Sequence, residues 1–247
     1  MNHNKNQKSQ IKILYWNVRS FLSKKLELQR IISSYDLIIC VESWLKPLDT
    51  VFFPGFVTFR KDSIGTKSGG IIFLIKKHLA FHELSYLKSP HDSVELSGIR
   101  ITNVSPVINI LACYKAPFSN LSQIQWDSLI ENVSLHNYSI LVGDFNSHSQ
   151  NWNCDKTGSH GTKLERSFDS YNLFLPNNNT YTHLDSYRNK KSNIYLLLSS
   201  LDLADKTNFQ VCDENWGSDH YPIIFYIDAK KNIWANPREK SNSDFFS

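Results

Sequence analysis

Residues 139–146, SILVGDFN, form an apolar segment that ends in a carboxylate and an amide. Residues 139–142 are apolar after the first serine, which predicts a short strand buried on both faces. Asp144 and Asn146 follow this strand across Gly143. Because binding and reacting groups gather at strand ends and in the loops beyond them, this stretch predicts one wall of a functional site.

The same arrangement recurs at four other predicted strands. The polar residues at their ends are Asn17 after 11–16, Glu42 after 37–41, Tyr114 after 107–113, and Asp219 and His220 before 221–227. Each residue alone has a structural alternative, such as a helix cap for Asn17 or a surface acid for Glu42. The ordered set predicts one shared pocket at the strand ends.

Three amphipathic segments separate these strands and predict helices. One carries apolar residues at 28, 31, 32 and 35, and one begins at Ser122, which has capping-box spacing to Gln125. The third contains Leu164, Phe168 and Tyr171. Further apolar strands are predicted at 70–75 and 195–198. Apolar strands between helices are typical of sheets covered on both faces, so the sequence predicts a layered α/β fold.

Length and composition favour one globular domain. The chain has 247 residues, of which 41% are hydrophobic. We expect a disordered arm at 1–10, a domain at 11–227 and a polar, basic tail or linker at 228–247. The net charge of +4 permits nucleic-acid binding without requiring it.

The four cysteines are scattered and form no CxxC pair, which argues against a zinc or disulfide framework and for a reducing compartment. No signal peptide and no apolar run of about 18 residues is visible. We therefore expect a protein that is not secreted and does not bind a membrane.

The predicted pocket has the chemistry of a phosphoester hydrolase. Carboxylates with amide oxygens are hard ligands that suit Mg²⁺ or Mn²⁺. An Asp beside an Asn can orient and deprotonate a water, while a His and a Tyr can donate hydrogen bonds to a phosphate oxygen. The metal would stabilise charge on the substrate.

Five blocks in this order resemble a known family. They are LYWNVRS (14–20), VESWL (41–45), LACYKAP (111–117), LVGDFNSHS (141–149) and WGSDHYPI (216–223). They resemble the endonuclease/exonuclease/phosphatase superfamily, and within it the apurinic-type endonuclease domain of non-LTR, jockey-like retrotransposons. The resemblance implies an α/β sandwich of two packed mixed sheets flanked by helices. It also implies Mg²⁺-dependent nicking of DNA in the nucleus, leaving a 3′-hydroxyl that primes an associated reverse transcriptase.

The resemblance also implies a role for each matching residue. These roles are metal binding for Asn17 and Glu42, proximity to metal and leaving group for Asp219, general base for Asp144, water orientation for Asn146, and phosphate contact for Tyr114 and His220. Basic residues in a loop before residue 195, Arg188, Lys190 and Lys191, could contact DNA phosphates. The alternative for these three is a solvated charge run.

One position departs from the family pattern. Relatives have Ser-x-Ile-Asp where this chain has SNIY, so Tyr195 stands at the position of an Asp that orients the catalytic His. Asp202 is a candidate surrogate. Loss of that acid would leave His220 without the partner that sets its orientation. We therefore expect the family fold with reduced or absent nuclease activity.

Two alternatives to a nicking enzyme remain open. The first is another phosphoesterase of the same fold, such as an inositol-phosphate phosphatase, a sphingomyelinase or a deoxyribonuclease. The second is a catalytically dead remnant that binds nucleic acid, which Tyr195 favours.

Overall fold

The computed structural model of the protein describes residues 10–63, 68–177, 180–185, 187 and 189–231. The strands, in chain order, are β1 (Gln10–Asn17), β2 (Leu37–Val41), β3 (Phe56–Lys61), β4 (Ile71–Lys76), β5 (Phe81–Glu83), β6 (Val94–Ile101), β7 (Val104–Ser105), β8 (Ile108–Lys115), β9 (Ser139–Asp144), β10 (His183–Asp185), β11 (Lys190–Ser192), β12 (Tyr195–Ser199), β13 (Thr207–Val211), β14 (Ile223–Asp228) and β15 (Lys230–Lys231). The α-helices are α1 (Lys25–Ile31), α2 (Gln123–Ser134) and α3 (Ser159–Tyr171). Short 3-10 helices span Leu22–Lys24, Ile32–Ser34, Gln150–Trp152 and Leu201–Leu203.

Two larger sheets contain most of the strands. The first sheet has the order β13-β14-β1-β2-β4-β3, and the second has the order β12-β9-β8-β6-β5. Each sheet is mixed, with one parallel pair among antiparallel neighbours, β1 with β2 and β8 with β9. Two small ribbons, β10 with β11 and β7 with β15, lie beside them.

The sheets pack face to face over one hydrophobic layer. Alternate residues of β1, such as Ile11 and Ile13, enter this layer together with Ile110 of β8 and Val142 of β9. Every second residue contributes because successive side chains of a strand point to opposite faces. Complete burial of such a side chain stabilises the fold by roughly 1.5–3 kcal/mol.

Helices cover the outer face of each sheet, as the layered α/β prediction requires. Trp126 of α2 and Leu164 of α3 pack on the second sheet against residues such as Leu111. Leu28 of α1 packs on the first sheet against Leu14. The fold is therefore the predicted sandwich of two mixed sheets flanked by helices. Among the described residues, no helix is long and apolar enough to cross a membrane.

The helix predictions hold with changed ends. The capping box of α2 forms as its spacing predicts, with Ser122 Oγ accepting from the backbone of Gln125. The first predicted helical stripe is interrupted, because α1 ends at Ile31 and Tyr35 has extended backbone. The strand predicted at 107–113 continues to Lys115, so Tyr114 lies within β8. β1 begins at Gln10, and strand pairing continues past residue 227 to Lys230–Lys231.

Candidate active site

The ends of β1, β2, β8, β9 and β12 meet at one edge of the sandwich. Asn17 is paired with Val41, next to Glu42, across the parallel β1–β2 pair. Asp144 is paired with both Tyr114 and Tyr195 in the second sheet. Strand register therefore brings these polar residues together, as the sequence predicts for a shared pocket.

A cavity of about 850 Å³ opens at this edge. The residues predicted for the site that line it are Glu42, Asp144, Asn146, Lys190, Lys191, Asp219 and His220. Asn17 and Tyr114 lie behind this lining, and Tyr195 is completely buried. Arg188 lies outside the described residues.

We call Asn17, Glu42 and Asp144 the carboxylate side of the cavity. The amide nitrogen Nδ2 of Asn17 donates to Glu42 Oε1 at 2.7 Å and to Asp144 Oδ2 at 3.0 Å. Asn17 and Asp144 are fully buried. One amide thus holds two carboxylates from different sheets close together. Glu42 has a left-handed backbone with φ of 50°, a strained conformation for a residue with a side chain.

Burial dominates the electrostatics of the carboxylate side. It raises the pKa of Asp144 to about 7, a shift that the hydrogen bond from Asn17 opposes and the charge of Glu42 increases. The pKa of Tyr114 is also raised, first by burial and then by the charges of Glu42 and Asp144. Tyr114 therefore lies close to the carboxylate side, and its contact with a phosphate stays a prediction.

Asn146 and Lys115 lie beside Asp144. Asn146 has φ of 44°, and its backbone N–H donates to Asp144 Oδ1 at 3.3 Å. Its side-chain Nδ2 donates to the Lys115 carbonyl at 2.8 Å, which leaves the amide oxygen available to accept from a water. Lys115 is fully buried, and burial lowers its pKa to about 8.

Two buried tyrosines join the sheets behind the cavity. Tyr15 of the first sheet donates through its hydroxyl to the Cys113 carbonyl at 2.9 Å and accepts from the Asp144 backbone N–H at 2.7 Å. Tyr195 of the second sheet accepts through its hydroxyl from the Asn17 backbone N–H at 2.7 Å. Their rings meet edge to face with centroids 5.1 Å apart. The Tyr195 hydroxyl is therefore bound to the first sheet and not to His220.

We call His220, His183 and Asp219 the histidine side of the cavity. The His220 ring stacks on the Tyr195 ring, with centroids 5.1 Å apart and an interplanar angle of 14°. Its Nδ1 is buried and has no hydrogen-bond partner in the part of the chain that the structure describes, and Asp144 Oδ2 lies 3.7 Å away. Burial and the nearby His183 lower the pKa of His220 to about 3.

Asp202 does not replace the missing acid. Tyr195 is paired with Asp144, and Ser199, at the other end of β12, is paired with Ile140. Asp202 follows that other end, in an exposed 3-10 helix, and its carbonyl accepts from Lys206. The strand separates Asp202 from His220, so this surrogate is wrong.

Two residues of the site were not singled out by their sequence pattern. His183 lies in β10 and pairs with His220 as an isolated bridge, with ring centroids 4.7 Å apart. Arg19 forms a short ion pair with Asp219 Oδ2. Arg19 lies inside the block 14–20 that carries the family resemblance, which was the available signal, whereas His183 lies between the fourth and fifth blocks.

Comparisons with known proteins agree with this architecture. Residues 108–224 match the family model described as Endonuclease-reverse transcriptase. No curated protein sequence matches the chain. Among solved structures, the endonuclease domain of TRAS1, a telomere-specific non-LTR retrotransposon, is similar with a TM-score of 0.72 and 17% identity, over 91% of this chain and 100% of that chain.

Two further structures have the same fold at similar identity. The catalytic domain of Xenopus laevis APE2 has a TM-score of 0.69 and 16% identity, over 90% of this chain and 93% of that chain. The Neisseria 3′ phosphatase NExo bound to product DNA hairpin has a TM-score of 0.67 and 16% identity, over 88% of this chain and 99% of that chain. The family match over residues 108–224 and the shared fold support the resemblance to an endonuclease domain of the endonuclease/exonuclease/phosphatase superfamily.

Proposed function

We propose that this protein is a Mg²⁺- or Mn²⁺-dependent phosphodiester hydrolase that nicks DNA. The observation that carries this proposal is the single Asn17 amide that bonds Glu42 and Asp144 at the wall of the cavity. This contact places Glu42, a carboxylate ligand for a hard divalent cation, directly beside Asp144, a carboxylate that can act as a base. Exposed Lys190 and Lys191 line the same cavity and suit a phosphate backbone.

The donor chemistry fits such a metal ion. Glu42, Asp219 and the amide oxygen of Asn17 would hold it, and Asp219 Oδ1 is a buried carboxylate oxygen with no hydrogen-bond partner among the described residues. When bound, the ion supplies positive charge that stabilises the phosphate in the transition state.

The remaining residues have defined tasks in the proposed reaction. Asp144, whose pKa is raised to about 7, accepts the proton of the attacking water. Asn146 orients that water through its free amide oxygen. His220 donates a hydrogen bond to a phosphate oxygen, but its burial disfavours the charged form that would do so best.

We further infer a role in a non-LTR retrotransposon, in which the nick supplies a 3′-hydroxyl for reverse transcription in the nucleus. Support comes from the family description, which joins endonuclease and reverse transcriptase, and from the likeness to the TRAS1 domain. The reverse transcriptase would be a partner in the full element.

Nicking of supercoiled plasmid under single-turnover conditions tests this function. We expect nicking with Mg²⁺ or Mn²⁺, none with EDTA, and nicks that a polymerase can extend. Asp144→Asn should reduce the rate by about 10²–10⁴-fold. Asp155→Asn, which changes an exposed cavity acid, is the matched control. Inositol phosphate and sphingomyelin should not be cleaved, and cleavage of either would favour another phosphoesterase.

A second candidate function is nucleic-acid binding without catalysis. It is favoured by the buried His220 Nδ1 that has no hydrogen-bond partner and by the Tyr195 hydroxyl that is bound elsewhere. Salt-sensitive DNA binding with no nicking at any Mg²⁺ or Mn²⁺ concentration would support this candidate and contradict the first.

A further inference from the structure

Two imidazoles and one carboxylate converge on the histidine side. His220 Nε2 lies 3.8 Å from Asp219 Oδ1, and His183 Nε2 lies 3.9 Å from Asp219 Oδ2. One donor atom of each side chain lies within 4.8 Å of the other two. All three residues line the cavity, so an ion from solvent can reach them.

The second nitrogen of each ring faces an oxygen. His183 Nδ1 lies 3.3 Å from Ser192 Oγ, and His220 Nδ1 lies 3.7 Å from Asp144 Oδ2. Imidazoles that bind a metal through one nitrogen usually donate the other N–H to such an oxygen. Both rings therefore have their Nε2 directed at the carboxylate and their Nδ1 placed for an outer hydrogen bond.

Two buried atoms of this cluster have no hydrogen-bond partner among the described residues. They are Asp219 Oδ1 and His220 Nδ1, and His220 is only 6% exposed. A buried polar atom without a partner is costly. A cation bound to Asp219 Oδ1 and to His220 Nε2 would give Asp219 Oδ1 a partner directly. It would also favour a hydrogen bond donated by His220 Nδ1 to Asp144.

The donor set suits a transition metal better than Mg²⁺. Zn²⁺ binds imidazole nitrogen and carboxylate oxygen, and sites with three protein ligands keep one position open. The positive charge of Arg19 opposes a cation here, but its guanidinium contacts Asp219 Oδ2 and leaves Oδ1 available. We propose that His183, Asp219 and His220 form a Zn²⁺ site in the cavity wall.

Zn²⁺ titration by calorimetry in excess Mg²⁺ tests the site, because Asp219 is the one ligand that the Zn²⁺ site shares with the proposed Mg²⁺ site and the two imidazole nitrogens favour Zn²⁺ over Mg²⁺. We expect one equivalent of Zn²⁺ to bind the unmodified protein. His183→Phe should weaken binding by about 10–100-fold or more, since loss of even an outer-shell partner has effects of that size. His148→Phe changes another cavity histidine and should bind Zn²⁺ like the unmodified protein.

Two further readouts separate loss of the site from loss of the fold. Zn²⁺ should raise the melting temperature of the unmodified protein and of His148→Phe, but not of His183→Phe. Co²⁺ should give the visible absorption of a low-coordinate site, which His183→Gln should abolish while the metal-free melting temperature stays unchanged. Absence of Zn²⁺ binding in excess Mg²⁺, or equal affinity in a folded His183 variant, would overturn the proposal.

Discussion

The carboxylate side and the histidine side share one cavity but differ in how their polar groups are bonded. Asn17 holds Glu42 and Asp144 by hydrogen bonds of 2.7 and 3.0 Å. His220 Nδ1 has no hydrogen-bond partner among the residues that the structure describes, and Asp144 Oδ2 lies 3.7 Å from it. Within the carboxylate side, the Asn17 side chain holds Glu42 and Asp144, and Tyr195 contacts this side through the Asn17 backbone N–H. The orientation of His220, in contrast, would depend on the residue at position 195.

Tyr195 explains the difference between the two sides. Its ring lies flat on His220 and limits the motion of the imidazole, but its hydroxyl bonds the backbone of Asn17 in the other sheet. Its only hydroxyl is therefore used to join the sheets. Tyr195 therefore stabilises the packing of the sheets at the carboxylate side, but its hydroxyl does not form a hydrogen bond that orients His220.

The largest expected effect comes from replacing Tyr195 with an acidic residue that can accept a hydrogen bond from His220. Tyr195→Asp should raise the rate of plasmid nicking by about 10²–10⁴-fold, by analogy with the roughly 10⁴-fold loss when a serine-protease triad loses its Asp. The substitution also removes a fully buried ring, which should reduce stability by about 3–5 kcal/mol. Single-turnover rates should therefore be measured at low temperature on protein shown to be folded by circular dichroism.

Tyr195→Phe is the matched control for this gain, because it keeps the ring and supplies no acid. Its nicking rate should not rise. If the unmodified protein nicks as fast as a folded Tyr195→Asp variant, His220 needs no acidic partner. The difference in hydrogen bonding between the two sides would then have no effect on the nicking rate.

The two sides should also give opposite pH dependences of stability. The pKa of Asp144 is raised from 3.8 to about 7, so its contribution is present below pH 3.8 and is lost as the pH rises toward 7. The pKa of His220 is lowered from 6.5 to about 3, so its contribution is present above pH 6.5 and is lost as the pH falls toward 3. Between about pH 4 and pH 6.5 the two slopes should largely cancel in the unmodified protein.

Single variants should reveal each slope in urea unfolding at several pH values with EDTA. In that window the free energy of unfolding of Asp144→Asn should rise with pH, and that of His220→Gln should fall. Each slope is at most about 1.4 kcal/mol per pH unit. Asp155→Asn should behave like the unmodified protein, and slopes of the same sign in the first two variants would contradict the assignment.

The sequence predicted the carboxylate side better than the histidine side for a physical reason. Asn17, Glu42 and Asp144 lie at or next to strand ends, and an apolar strand next to a polar residue is a local pattern. The contact of His183 with His220 joins distant parts of the chain through one bridge, and no local pattern encodes it. The direction of the Tyr195 hydroxyl depends on how the sheets pack.

The interior strand β6 was missed for a similar reason. Its sequence, VELSGIRI, breaks an apolar run with Glu95, Ser97 and Gly98. Gly98 is required by packing, since a Cβ atom there would lie 2.9 Å from Leu87 Cδ1 and 3.0 Å from the Ile110 carbonyl oxygen. The constraint comes from neighbours that only the fold brings together.

Removing only the Tyr195 hydroxyl should have a smaller effect, on stability alone. Tyr195→Phe leaves the buried Asn17 N–H without its acceptor, which should reduce the free energy of unfolding by about 1–3 kcal/mol. Tyr187→Phe, at a residue that is 95% exposed, should change it very little. Equal stabilities in urea unfolding would mean that the bond between the sheets contributes nothing.

The smallest expected effect concerns DNA binding by the histidine side. Lys190 and Lys191 lie in β11, which pairs with the strand that carries His183. Changing both to Ala should lower the slope of log affinity against log salt by about 2, because each lysine that neutralises a phosphate contributes about 0.9. Changing Lys88 and Lys206, which do not line the cavity, should leave the slope unchanged. Fluorescence anisotropy with labelled duplex in Ca²⁺ measures both. If the slope is unchanged when Lys190 and Lys191 are replaced, the DNA binds to another face of the protein. The expected decrease in slope would show that the histidine side binds DNA although His220 lacks an acidic partner.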